Sequence, residues 1–284
     1  MTVSEGVVSL ARMSSTPSRV ETRLPAPVYL DHIVRESARF RDVLAGADPG
    51  AKVPSCPAWT ADDLLWHLTG VQRFWAWIVE HRPDSPDDYV EAERADTHQG
   101  LLDAYDTASA DLARALAGAE PADAAWTWSD DHTVGFVLRR QALEVLVHRL
   151  DAEQAAGTVT PLDPALAADG VEEVLDVMYG SCPPWGDFSP LPHYLRVDCT
   201  DTGSSVWVQI GRFSGTDPKD EVRYDEDDIH VVAAPGVEPD AVVSGTAEEL
   251  LARLWRRGDG ATIHLAGDLH IVDHFRNAIH HPID

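Results

Sequence analysis

The sequence predicts an α + α/β protein, with a four-helix bundle over residues 27–158 and a smaller α+β domain over 159–284. Three observations carry that expectation. Apolar residues recur at helical spacing up to about residue 158. Beyond it, short alternating runs interleave with helical stretches, the signature of an α+β unit. The 284 residues suffice for two modest cores.

The first helix is expected over 28–44, where Leu30, Ile33, Val34, Ser37, Phe40 and Leu44 form one stripe. Pro54-Ser55-Cys56-Pro57 then imposes a rigid extended segment. Thr60 reads as an N-cap, with Asp63 as a short-armed capping-box partner, opening a second helix over 61–80. Pro83 and Pro86 break the chain before a third helix over 101–117. A fourth helix over 133–156 stops at Gly157, a natural C-terminal signal. In the second part, helices are expected over 163–179, 246–256 and 268–279. Strands are expected over 193–199, 205–212, 229–233, 241–244 and 262–266. The first 26 residues, rich in Ser, Thr, Pro and Arg, read as a disordered leader, with Met13 as a candidate start.

Composition narrows the function. Asp and Glu total 48 against 22 Lys and Arg, a formal net charge of -26 that repels nucleic acid and anionic lipid. Three widely spaced cysteines (Cys56, Cys182, Cys199) form no disulfide framework and suit a reducing compartment, so a cytoplasmic protein is expected. No apolar run approaches the roughly 20 residues that span a bilayer. GxGxxG, P-loop and GxSxG motifs are absent, which removes the dinucleotide, phosphate-loop and serine-hydrolase readings.

Glu144 and His148 lie four residues apart on the fourth helix, so both side chains share one face. Their neighbours Ala142, Leu143, Val145, Leu146 and Val147 are apolar, and a buried carboxylate and imidazole need a partner. A divalent cation serves both. The candidate third ligand is His67, in a similarly apolar stretch of the second helix. Two imidazoles and one carboxylate leave an open position on zinc, or more than one on iron. A plain helix-surface hydrogen bond, and a core histidine satisfied by its neighbours, account for the same residues. His270 and His274 form a rival pair without an evident third ligand, and Cys56 reads as a packing residue or a reactive thiol.

Val53-Pro54-Ser55-Cys56-Pro57-Ala58-Trp59-Thr60, followed by Asp62, Leu64, His67 and Leu68, resembles the mycothiol-dependent maleylpyruvate isomerase family of actinobacteria. So do Trp126-Thr127-Trp128, Arg139-Arg140-Gln141-Ala142-Leu143-Glu144 and Val147-His148-Arg149-Leu150-Asp151-Ala152-Glu153. Val243-Ser244-Gly245 leading to Leu250, Leu251, Leu254 and Trp255 resembles the family's C-terminal domain. The resemblance implies a DinB-like bundle and a zinc (or other divalent metal) site built from His67, Glu144 and His148. It also implies mycothiol as thiol cosubstrate, its thiolate adding to a conjugated cis double bond so that rotation and elimination give the trans isomer.

The implied function is a metal-dependent, mycothiol-using isomerase or thiol transferase acting on a small electrophile. The alternatives are a metal-dependent hydrolase on the same bundle and a non-enzymatic metal- or ligand-binding protein. A monomer or homodimer, with neither nucleic acid nor membrane as partner, completes the expectation. Leu143 stands where the family often has a histidine, so a polar group behind the metal is expected to be missing. Arg73, Arg94 and Arg140 are candidates for an anionic substrate, and Trp126 and Trp128 for the pocket mouth. Arg149 and Asp151 either support the ligands or cap the helix end.

Overall fold

The structure is a computed structural model that describes residues 23–280 and 283. The expected leader lies outside the described residues as far as residue 22, as does Met13; Ala26 already begins a helix.

Four long helices make the first part: α1 (Ala26–Gly46), α2 (Ala61–His81), α3 (His98–Ala117) and α4 (Val134–Ala156). The chain enters α2 through a small antiparallel hairpin, β1 (Lys52–Val53) and β2 (Cys56–Thr60), whose turn is Pro54-Ser55. The sequence shows this segment as merely extended because two residues of β1 are too few to alternate. Thr60 and Asp63 close the capping box reciprocally, and that fixes where α2 starts. Gly157 adopts φ 76°, the left-handed conformation that ends α4.

Helix α4 is the centre of the molecule. It is buried on all sides, and its buried set includes Arg139, Arg140, Gln141, His148, Arg149, Asp151 and Glu153. Such a helix survives only if each charge meets a partner. Arg139 grips Asp169 at 2.9 Å, and Arg149 reaches Glu36 at 2.8 Å and Glu153 at 2.9 Å.

The second part begins with α5 (Pro164–Glu173), which runs on into a π-helical turn (Val174–Tyr179) where the sequence suggests one continuous helix. A five-stranded mixed sheet follows, in the order β5-β4-β3-β6-β7. Its members are β3 (Gly186–Cys199), β4 (Ser204–Thr216), β5 (Arg223–Val232), β6 (Ala241–Gly245) and β7 (His264–Gly267). Pair β3–β6 is parallel and the others are antiparallel. Helices α6 (Ala247–Leu254) and α7 (Leu269–Ala278) complete the domain, and Thr246 with Glu249 forms the second capping box. One apolar core runs from Leu143 and Leu146 of α4 through Leu166 and Val171 of α5 to Leu250, Leu251 and Val208. Gly170 lets α5 sit close, since a Cβ there would lie 2.9 Å from Leu251 and 3.0 Å from Leu143. No helix of the described chain is long and apolar enough to cross a membrane.

Candidate metal centre

The i, i+4 spacing on α4 brings His148 Nε2 to 3.1 Å from Glu144 Oε1. From α2, His67 Nε2 comes to 3.8 Å from the same oxygen, and the two imidazole rings lie 4.9 Å apart, edge to face. One ligand atom from each residue fits within 4.8 Å of the other two, a set found once among the described residues. The rival His274 is engaged elsewhere, its Nε2 at 2.8 Å from the Gly211 carbonyl oxygen.

Each member is held from behind. Asp151 Oδ2 lies 2.9 Å from His148 Nδ1, which leaves Nε2 as the nitrogen turned to the centre. Asp151 also accepts from Ser55 Oγ at 2.5 Å, and from Arg257 Nε at 3.0 Å and Nη2 at 2.9 Å. Arg140 donates through Nη2 to Glu144 Oε2 at 2.8 Å and through Nη1 to Glu173. Trp59 stacks obliquely on His67 at 4.7 Å. The expected gap behind the ligands is therefore filled. Leu143 packs in the core against Gly170, while Arg140 and Asp151 supply the polar support.

These contacts set the charges. Burial opposes ionisation of Glu144, but His148, His67 and Arg140 outweigh it and hold the carboxyl well below its usual range. Burial likewise opposes the imidazolium of His148, yet Glu144 and Asp151 prevail and raise it to about 9. Asp151, desolvated but bonded to His148 and Arg257, falls to about 2. For Glu173 burial wins over both arginines, and the pKa rises. The donor set fits a divalent metal: two imidazole nitrogens and one carboxylate oxygen converge, all anchored on helices.

A cleft of about 880 Å³ opens beside the triad, with His67 in its wall. Arg73 and Arg94 line it together with Trp59, Phe74, Trp75 and Tyr89, and Arg94 also holds Asp63 at 2.7 Å. Trp126 packs edge-on to Phe74 at 6.0 Å, behind the cleft wall. Trp128 stands apart, lining a second cavity of about 510 Å³ that reaches the other side of Arg140. Arg149 makes its polar contacts with Glu36, Glu153, Thr160 and Pro161, away from the triad. Sequence reasoning missed Ser55 and Arg257; the latter lies 106 positions from Asp151, with no local signal to link them.

A helical bundle carrying a candidate metal triad, joined to an α+β domain, is thus the class that fold and site define. The description "Mycothiol maleylpyruvate isomerase N-terminal domain" matches residues 30–153, and "MDMPI C-terminal domain" matches residues 165–274. The chain belongs to the mycothiol maleylpyruvate isomerase family, and its bundle is DinB-like. Among solved structures it is similar to the mycothiol-dependent maleylpyruvate isomerase, at 14% identity and a TM-score of 0.56, over 86% of this chain and 93% of that one. A histidine-to-alanine variant of that enzyme gives a TM-score of 0.57 at the same identity and coverage. No curated protein matches.

Proposed function

We propose that the chain is a metal-dependent, mycothiol-using isomerase or thiol transferase for a small anionic electrophile. The observation that carries the reading is the convergence of His67, Glu144 and His148 within 4.8 Å, beside a cleft whose walls bear Arg73 and Arg94. A divalent metal, with zinc the natural choice for this donor set, lowers the pKa of a coordinated thiol so that thiolate is present at neutral pH.

The protein's own residues do the rest. Asp151 fixes the tautomer and ring orientation of His148. Arg140 holds Glu144 in place through its Nη2. The aromatic walls offer an apolar face to the substrate, and the arginines of the cleft orient its carboxylates. Maleylpyruvate, a dianion with a conjugated cis double bond, meets these requirements. Three free cysteines support a reducing cytoplasmic setting.

The test is metal content by mass spectrometry on protein purified without a histidine tag, with His67→Ala and Glu144→Ala in parallel. Turnover of maleylpyruvate and related electrophiles is then measured with and without mycothiol. About one zinc per chain, lost in both variants, with turnover that requires the thiol, is the expected result. A wild-type protein that takes up no divalent metal, or turnover indifferent to the thiol, overturns the reading.

A further inference from the structure

The support behind the triad does not end in the bundle. Past α6 the chain turns at Arg256, whose φ of 60° is left-handed for a bulky residue, and this turn lies beside α4. The next residue, Arg257, is pinned through its backbone, with its N–H donating to Ala252 and its carbonyl accepting from Gln154 of α4 at 2.8 Å. Its side chain is committed just as fully. Nε and Nη2 clamp both oxygens of Asp151, and Nη1 donates to the Trp255 carbonyl oxygen at 2.7 Å.

Asp151 is wholly inaccessible to solvent, and among the described residues His148 and Arg257 balance its charge. The indole of Trp255 has two guanidinium groups over its ring, Arg140 at 5.4 Å and Arg257 at 5.7 Å. Arg140 is the group that braces Glu144. The supports of two of the three ligands therefore meet on one short segment of the α+β domain.

We infer that Arg257 is a positioning residue through which the C-terminal domain sets the metal affinity of the triad, acting on His148 by way of Asp151. The inference rests on the metal reading above. A carboxylate shared with a bidentate guanidinium holds the imidazole as an oriented hydrogen-bond acceptor holds a donor. Without the guanidinium, the carboxylate loses the clamp that fixes both of its oxygens, and the imidazole it orients loses its fixed direction toward the centre.

The experiment is cobalt(II) binding to the full-length protein, followed by the ligand-field absorption bands, with affinity measured by competition against a chromophoric chelator. Arg257→Gln is expected to weaken binding by about 10- to 100-fold and to alter the bands, the usual consequence of removing a partner behind a metal ligand. Arg257→Lys, which keeps the charge but not the two-pronged geometry, is expected to recover only part of the loss and to keep altered bands. Arg149→Met serves as a control for burial alone: it is equally enclosed on α4 but bonded away from the triad, and should lower the melting temperature while leaving affinity unchanged. Wild-type affinity and bands in Arg257→Gln overturn the inference and leave the metal reading intact. If Arg257→Gln does not fold, Arg257→Lys decides the matter, since full wild-type affinity and bands in that variant also overturn it. A wild-type protein that binds no cobalt removes the metal reading, and the inference with it.

Discussion

The pH dependence of metal uptake exposes the electrostatics of the centre directly. In the metal-free protein, Glu144 and Asp151 hold the imidazolium of His148 up to about pH 9 against the opposing pull of burial. A metal ligates only the neutral ring, so that proton must leave. With a pKa of about 9, roughly one site in a hundred is neutral at pH 7. Apparent affinity should therefore rise about tenfold per pH unit between pH 7 and 8.5, then flatten near 9. The same displacement, from 6.5 to about 9, also stabilises the metal-free fold by about 3 kcal/mol. Because the folded state holds the proton more tightly, that contribution is complete below about pH 6.5 and is lost as pH rises through 9. The assay is zinc titration against a competing chelator at several pH values, alongside melting of the chelator-stripped protein at each. Asp151→Asn should move the plateau of affinity to lower pH. Affinity that stays flat between pH 7 and 8.5 would refute the reasoning, because His148 would then carry no proton to displace.

Other perturbations probe the frame and the cleft. Gly170→Ala forces a methyl into contact with Leu251 and Leu143 and should cost about 1–3 kcal/mol in denaturant unfolding. Leu146→Ala empties a fully buried position on α4 and should cost about 2–5 kcal/mol in the same assay. Thr60→Ala removes the capping box of α2 and should lose about 1 kcal/mol, read as a lower melting temperature. Arg73→Ala, in the cleft wall, should raise KM for a carboxylate substrate by about tenfold or more, with a smaller change in kcat.

Legibility in the sequence followed the range of the interactions. Glu144 and His148 announce themselves because one helical turn relates them, and the apolar residues between them signal burial. The capping boxes at Thr60 and Thr246 are equally local. The strands were shorter on paper than in space. β3 begins at Gly186, not at 193, because Pro190 and Pro192 interrupt its alternation, and the register shifts between Pro190 and Tyr194. β5 begins at Arg223 although Asp225, Glu226, Asp227 and Asp228 argue against a strand. It is an edge strand, where charge is tolerated and discourages pairing with another sheet. What joins Arg257 to Asp151 is tertiary, and neither residue carries a local mark of it. The polar support that Leu143 seemed to remove is likewise supplied by residues one turn away on either side, Arg140 and Asp151.

The pairing of charges along α4 also shapes how the molecule meets a charged ligand. Arg139, Arg140, Arg149 and Arg257 are spent inside, each neutralised by a buried carboxylate. The formal charge of -26 is consequently carried almost entirely by the outer surface, where water and salt see it. An anion diffusing toward the cleft climbs a repulsive field before the local arginines capture it. Association is thus slowed at long range and favoured only within about a Debye length. Added salt should speed the encounter of an anionic ligand with the cleft, the reverse of electrostatic steering.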